Sequence, residues 1–283
     1  MRAGDTTAGQ ARAPDLPPSE RDPTEPGAGP TGLVRDRADL VEFYDDAYSQ
    51  ADPDRAALYA RWRRLGAIGK ADHVVELCAE AGLRPQSTLE IGCGDGALLC
   101  ELEARGFGGY LAGVEITRAA VAIARARPQI DAVELYDGVK LEAGDGEYEL
   151  GILSHVLEHV VDPAALLAEA ARACKAVVME VPLEANISAR RGVKREHAEE
   201  VGHLQRLDRT GARAIVADAG LRVAGELEDA LPRRVHTFFA TTPYARAGGT
   251  AKWMARSTVH RLSPSLAKRL FTVHYACLCL PAA

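Results

Sequence analysis

Apolar positions along this chain follow two alternating periods. Short apolar runs occur at Ser87–Ile91, Tyr110–Glu115, about Ala132–Tyr136, Glu149–Ser154, Ala176–Val181 and Leu221–Leu227. Between them lie segments of helical spacing, at Ala97–Arg105, Arg118–Ala126, Pro163–Cys174 and about Asp208–Ala219, the last ending at Gly220. Strands alternating with helices predict βαβ units and a mostly parallel sheet covered by helices on both faces. Ahead of the alternation, three helices are expected: one over Asp39–Tyr48, one from Pro53 to Leu65, and one from about Gly69 to Ala81 that stops at Gly82. Residues 36–82 therefore read as a helical lid over a ligand, with Tyr44 and Tyr48 as candidate substrate contacts. Val235–Ala240 and Phe271–Leu280 both read as strands, with a basic helical stretch, Ala251–Leu270, broken by Pro264 between them. Phe271–Leu280 is expected to close the sheet beside the sixth strand, which makes about 232–269 an insertion in a domain running from 83 to 283.

Residues 1–35 are rich in Pro, Gly, Asp, Thr and Ala. Such a segment has too little apolar surface to offset its ordering entropy, so a disordered tail with no part in the chemistry is expected. The remaining composition excludes several classes. Hydrophobic residues make up 47%, ample for a core, and the net charge of −6 argues against a nucleic-acid binder. The six cysteines are scattered, with no C-x-x-C pair, which suits reduced, buried thiols in a cytoplasmic protein. Cys277 and Cys279 are two apart, so a strand puts both thiols on one face. There is no signal-peptide core and no run of 18 apolar residues, so neither secretion nor a membrane span is expected. After Asp229 the chain has eight Lys and Arg and no acid. That asymmetry marks either a solvated basic face or a docking place for an anionic or carrier-bound substrate.

The chemistry concentrates where the first strand meets the first helix. Leu89-Glu90-Ile91-Gly92-Cys93-Gly94-Asp95-Gly96 is a strand, a glycine turn and a helix start. Such a turn lets the backbone approach a cofactor and presents free N–H groups. Glu115 ends the second strand, where a carboxylate takes the hydroxyls of a ribose. A nicotinamide dinucleotide formally satisfies the pattern, but Glu90 and Asp95 would both lie near its pyrophosphate. S-adenosylmethionine reverses the sign, because it carries a sulfonium and an ammonium and no phosphate.

These residues resemble the first motif of class I S-adenosylmethionine-dependent methyltransferases of the small-molecule type. Gly113-Val114-Glu115-Ile116 is similar to that family's ribose-binding strand end. Tyr136-Asp137-Gly138 resembles its adenine-binding segment, Tyr148 to His159 its fourth strand and the helix after it, and Glu180-Val181-Pro182 the end of its fifth. The resemblance implies an α/β, Rossmann-like, mostly parallel seven-stranded sheet with helices on both faces, an antiparallel last strand and the N-terminal helical lid. It implies S-adenosylmethionine as cofactor and S-adenosylhomocysteine as product. Glu90, Gly92, Cys93, Gly94, Asp95 and Gly96 would face the methionine part. Glu115 and Ile116 would hold the ribose, Asp137 and Gly138 the adenine, with Ser154 and His155 where sulfonium and acceptor meet.

The expected acceptor is an O or N atom of a small molecule, in specialised natural-product biosynthesis, with no nucleic-acid or membrane partner. His155, His159 and His203 are candidate bases. Pro182, Glu184, Asn186 and His197 are candidate substrate contacts, on a loop spanning Glu184–Glu200. His155-Val156-Leu157-Glu158-His159 is literally an inverted zinc-protease string. Because His155 directly follows a buried strand, no metal is assigned to it. The competing readings are a nicotinamide-dependent oxidoreductase and a member of the fold that binds S-adenosylmethionine for chemistry other than methyl transfer.

Overall fold

The computed structural model describes residues 37–49, 52–190 and 202–282. The expected tail, at 1–35, lies outside the described residues. Seven strands form one sheet: β1 (Ser87–Ile91), β2 (Tyr110–Glu115), β3 (Ala132–Leu135), β4 (Tyr148–Ser154), β5 (Cys174–Leu183), β6 (Leu221–Asp229) and β7 (Val273–Pro281). Their order is β3-β2-β1-β4-β5-β7-β6. Pairings among β1 to β5 are parallel, while β7 runs antiparallel between β5 and β6, with Val177 opposite Cys279 on one side and Val223 on the other. β7 thus closes the sheet beside β6 as expected. The chain winds outward from β1 to β3 and then returns to place β4 on the other side of β1. That reversal opens a crevice at the C-terminal ends of β1 and β4, where ligands of such sheets bind.

Helices cover both faces. α1 (Arg37–Tyr48) and α2 (Pro53–Glu80) precede the sheet. α3 (Ala97–Glu103), α4 (Arg118–Arg125), α5 (Pro163–Ala173) and α6 (Arg209–Asp218) alternate with the strands. On one face Leu153, Val177, Met179 and Cys277 pack with Leu166 and Leu167 of α5 and Ile215 of α6. On the other, Ile152, Val178 and Leu278 pack with Ala71, Val74 and Leu77 of α2 and Leu98 of α3. Both faces of β7 are therefore buried, which explains its nearly continuous apolar run. Cys277 and Cys279 lie on one face of it with their sulfurs 3.6 Å apart.

Two expectations fail. The helices anticipated at Pro53–Leu65 and Gly69–Ala81 are one 28-residue helix, α2, capped by Asp52, whose carboxylate accepts the Asp54 and Arg55 N–H groups. Gly66 and Gly69 cost it about 1 kcal/mol each relative to alanine, a loss that the burial of Ala67, Ala71, Val74 and Leu77 outweighs. Nothing lies within 4 Å of where either glycine's Cβ would be, and both line the central cavity. Val235–Ala240, expected as a strand, begins instead as α7 (Arg233–Thr237), followed by Phe238 and Phe239. Both rings dock on Trp62 of α2, at 5.2 and 5.1 Å between centroids, which holds the segment off the sheet.

α8 (Pro243–Leu262) and α9 (Pro264–Leu270) carry most of the basic C-terminal residues. α8 buries no residue, and neither helix lines the cavity. Lys268 is paired with Glu228 and Arg256 sits over the Phe271 ring. No helix of the described residues is long and apolar enough to cross a membrane.

Candidate functional site

A cavity of about 290 Å³ opens at the crevice between β1 and β4. Its two ends differ in chemistry. At the first, β1 runs into the glycine turn, where Gly92, Gly94 and Gly96 all have positive φ (75°, 52° and 74°). A side chain at any of them would be strained. They do not all serve a ligand. A Cβ on Gly92 would come 2.7 Å from Val156, and one on Gly94 would meet the Tyr48 hydroxyl. One on Gly96 would meet Ile130, and Gly96 does not line the cavity. Gly92 and Gly94 thus keep the crevice open, while Gly96 serves packing.

Glu115 ends β2 beside this turn. Its Oε2 accepts the Gly94 N–H at 2.9 Å, and Oε1 accepts the Ile116 N–H at 2.7 Å. Burial raises its pKa, while these hydrogen bonds oppose the rise. Glu90 is 4% exposed and its Oε2 has no hydrogen-bond partner among the described residues. Burial pushes its pKa up to about 8, Asp95 and Glu115 add to the rise, and Lys70 of α2 opposes it. The hydroxyl of Ser154, at the end of β4, is also buried without a partner among the described residues.

Asp95 departs from expectation. Its carboxylate is engaged by Arg63 at 2.9 Å and by Arg127 at 3.0 Å. It is therefore neutralised inside the protein, and its charge no longer argues against a pyrophosphate. The Arg63 guanidinium in turn sits over the Tyr48 ring at 4.7 Å, which fixes α1 across the turn.

The second end is built of histidines. Among the described residues five histidines line the cavity: His73, His155, His159, His203 and His274. His155 has φ 59°, the one non-glycine residue at positive φ among the described residues. Such a conformation persists where its surroundings hold it. The His155 N–H donates to the Glu180 carbonyl, and its ring lies 4.7 Å from that of His274. Its Nδ1 is 3.1 Å from Glu158 and its Nε2 3.4 Å from Glu180 Oε1. Glu180 also meets His274 Nδ1 at 3.2 Å and His73 Nδ1 at 3.0 Å. Burial would raise the Glu180 carboxyl, but these imidazoles hold it well below the usual range. Burial would lower His73, yet Asp229 and Glu180 bring it up to about 10.

His159 belongs to a separate group with Glu158 and His203. Its Nδ1 is 3.2 Å from the Gly202 carbonyl, which can only accept, so neutral His159 carries its proton there. Nε2 then accepts the Tyr44 hydroxyl at 3.2 Å. Burial and the neighbouring His203 push His159 down to about 4. His203 donates Nδ1–H to Glu184 at 2.8 Å. The H-x-x-E-H string therefore does not act as one unit. Leu157–His159 is a single 3₁₀ turn, and its two histidines go to different clusters.

Among the other expected contacts, Tyr44, Tyr48, Cys93, Ile116, Gly138 and Pro182 line the cavity. Asp137, Glu184 and Asn186 do not. Asp137 is exposed and accepts the Val139 and Lys140 N–H groups, forming the turn that presents Gly138. Glu184 acts through His203. Asn186 is spent on the Leu183 carbonyl, Thr272, Ser188 and Ala189, so it braces the loop instead of contacting substrate. His197 lies outside the described residues, as does 191–200 of the expected loop. Lys70, His73, Glu180 and His274 were not foreseen as site residues. Only the resemblance of Glu180-Val181-Pro182 to a strand end pointed near any of them.

An orphaned buried carboxylate and hydroxyl at the end of β1 and β4, beside an open glycine turn, fit the ammonium of S-adenosylmethionine. No curated protein sequence matches this chain. Among solved structures, the geranyl diphosphate C-methyltransferase of Streptomyces coelicolor A3(2), crystallised with S-adenosyl-L-homocysteine, superposes with a TM-score of 0.55 at 14% identity, over 76% of this chain and 77% of its own. The methyltransferase complexed with the Trm112 activator of Haloferax volcanii gives 0.54 at 20% identity, over 88% and 100%. Magnesium protoporphyrin IX methyltransferase of Synechocystis PCC 6803 gives 0.51 at 14%, over 83% and 90%. At these identities the likeness is one of fold. The sequence model described as a methyltransferase domain matches residues 59–225, more than half of the chain. The chain thus belongs to the methyltransferase domain family and is an S-adenosylmethionine-dependent methyltransferase of the class I fold.

Proposed function

We propose that this enzyme methylates an oxygen or nitrogen atom of a small molecule bound at the histidine-lined end of the cavity, in a biosynthetic reaction. The observation that carries the proposal is the division of one cavity into an end built on the glycine turn and an end with five imidazoles around Glu158 and Glu180. A carbon acceptor without an ionisable proton would have little use for the second. The names of two of the structurally similar enzymes, acting on a porphyrin and on geranyl diphosphate, also favour a small acceptor.

S-adenosylmethionine, when bound, supplies an electrophilic methyl group on a sulfonium. This chain's residues do the rest. Glu90 pairs with the ammonium, the Gly92 and Gly94 backbone accommodates the methionine part, Glu115 holds the ribose, and the Gly138 backbone meets the adenine. Ser154 offers its hydroxyl where donor and acceptor meet. α1 and the first half of α2 act as the lid, with Tyr44 and Tyr48 over the site. Positioning accounts for most of the rate, as expected for in-line transfer. His203 takes the acceptor's proton at Nε2, and Glu184 fixes its tautomer by accepting Nδ1–H. His159 positions the Tyr44 hydroxyl. The basic helices α8 and α9 lie away from the cavity and suit docking of an anionic carrier, not contact with the reacting atoms.

The test is a screen of hydroxyl- and amine-bearing metabolites with methyl-labelled S-adenosylmethionine, run beside calorimetry with S-adenosylhomocysteine and NADH. Binding of S-adenosylhomocysteine, silence from NADH and a label on oxygen or nitrogen are expected. A label on carbon or on a macromolecule overturns the acceptor assignment.

A further inference from the structure

We infer that His155, Glu180 and His274 form a binding site for a first-row divalent metal ion at the acceptor end of the cavity. The three side chains come from the end of β4, from β5 and from β7. One ligand atom from each lies within 4.8 Å of the others. His155 Nε2 and Glu180 Oε1 are 3.4 Å apart, and His274 Nδ1 and Glu180 Oε1 are 3.2 Å apart. Donors bonded at about 2.1 Å to one tetrahedral ion are separated by comparable distances. At 3.4 Å His155 Nε2 makes no hydrogen bond, and it has no other partner among the described residues although it is buried. A cation at this point would join two imidazoles 4.7 Å apart and the carboxylate between them.

The surroundings already have much of the form that metal sites require. In metal sites a ligating histidine holds its second nitrogen against a carboxylate or other acceptor, and ligating carboxylates are themselves hydrogen-bonded; His155 and Glu180 meet this, while His274 Nε2 is buried without a partner among the described residues. Here Glu158 stands 3.1 Å from His155 Nδ1, and His73 donates to the second oxygen of Glu180 at 3.0 Å. The left-handed backbone at His155 turns its imidazole into this arrangement, and the Glu180 carbonyl anchors it. The other cluster, Glu158, His159 and His203, is less suited. His159 is committed at both nitrogens, to Gly202 and Tyr44, and His203 is committed to Glu184. Two neutral imidazoles and one carboxylate favour zinc or iron over magnesium, which prefers oxygen ligands. Three protein ligands leave positions open. Resting on the proposed transfer to oxygen or nitrogen, those positions take the acceptor atom and acidify it beside the methyl donor.

The experiment uses the full chain, stripped with a chelator and titrated with zinc chloride and separately with magnesium chloride. Calorimetry and metal analysis after gel filtration give affinity and stoichiometry. One zinc ion per chain and no retained magnesium are expected. His274→Ala and Glu180→Gln should each weaken zinc binding by about 100-fold or more, while His203→Ala leaves it unchanged. Retained S-adenosylhomocysteine binding by His274→Ala shows that the variant is folded and separates this proposal from the cofactor assignment. Zinc binding that survives both ligand substitutions, or that is lost in His203→Ala but kept in His274→Ala, overturns the site.

Discussion

The two ends of the cavity reach polar function by different routes. The glycine-turn end is assembled from residues close in sequence: Glu90 to Asp95 on one turn, and Glu115 at the next strand, parallel and adjacent to the first. Its main polar contacts are to backbone N–H groups, as in the bonds of Glu115 to Gly94 and Ile116. The histidine end draws on α2, the end of β4, β5, the segment at Gly202–Leu207 and β7. Most of its contacts are between side chains, with Glu158 and Glu180 as hubs. A site made of backbone geometry tolerates few changes of conformation. A site made of side chains tolerates changes of backbone but few changes of charge.

Exchanging single residues at each end separates their roles. The largest effect is expected for His203→Ala, which should lower kcat about 10²- to 10⁴-fold, the usual range for a lost general base. Calorimetry should find S-adenosylhomocysteine affinity within about threefold of the parent if the proposed cofactor and acceptor ends are distinct. Loss of both together would mean that the ends are not separable. Glu115→Ala should do the reverse, weakening S-adenosylhomocysteine about 100-fold, near 3 kcal/mol, through lost charge-assisted hydrogen bonds. An unchanged dissociation constant would remove Glu115 from the ribose role. Gly94→Ala places a Cβ at positive φ against the Tyr48 hydroxyl. A drop of about 1–2 kcal/mol in stability is expected in thermal or denaturant unfolding, and Tyr48→Phe in the same chain should restore only the part due to the contact.

The smallest effect concerns protons. Glu90, at a pKa of about 8, is mostly protonated at neutral pH; Lys70 of α2, Asp95 of the turn and Glu115 of β2 are the charged groups facing it. An ammonium favours its ionised form. Cofactor binding at neutral pH should therefore release up to about one proton, seen as a dependence of the binding enthalpy on the buffer's ionisation enthalpy. The release should vanish above about pH 9 and in Glu90→Gln. The sign also bears on stability. Because the folded pKa lies above the unfolded one, Glu90's favourable contribution is present at low pH and is lost as pH rises through about 8.

Legibility in the sequence divides along the same line. The strands from Ser87 to Leu227 and the helices between them were readable because a half- or fully buried element carries its environment in its own period. The same local logic reached the glycine turn and Glu115. It failed where a segment's fate was set by a distant neighbour. Val235–Ala240 reads as a strand but is captured by Trp62, and Gly66 and Gly69 look like a break inside what tertiary burial keeps as one helix. Asp95 read as a free acid because its partners, Arg63 and Arg127, are each 32 residues away. Asn186 read as a substrate contact for the same reason, since Thr272 lies on the far side of the inserted helices.

The sequence by itself determined an α/β chain with a glycine turn at Gly92–Gly96 and a carboxylate at the end of the next strand, because periodicity and residue type are local properties that no fold is needed to read, and the resemblance of these residues to a known family supplied the methyltransferase. Only the tertiary structure decided what occupies the other end of the cavity. β7 passes between β5 and β6 and carries His274 to Glu180, and α2 carries His73 to the same carboxylate. Bonds between side chains so far apart in the chain exist only once the sheet is closed, so no spacing in the sequence announces them.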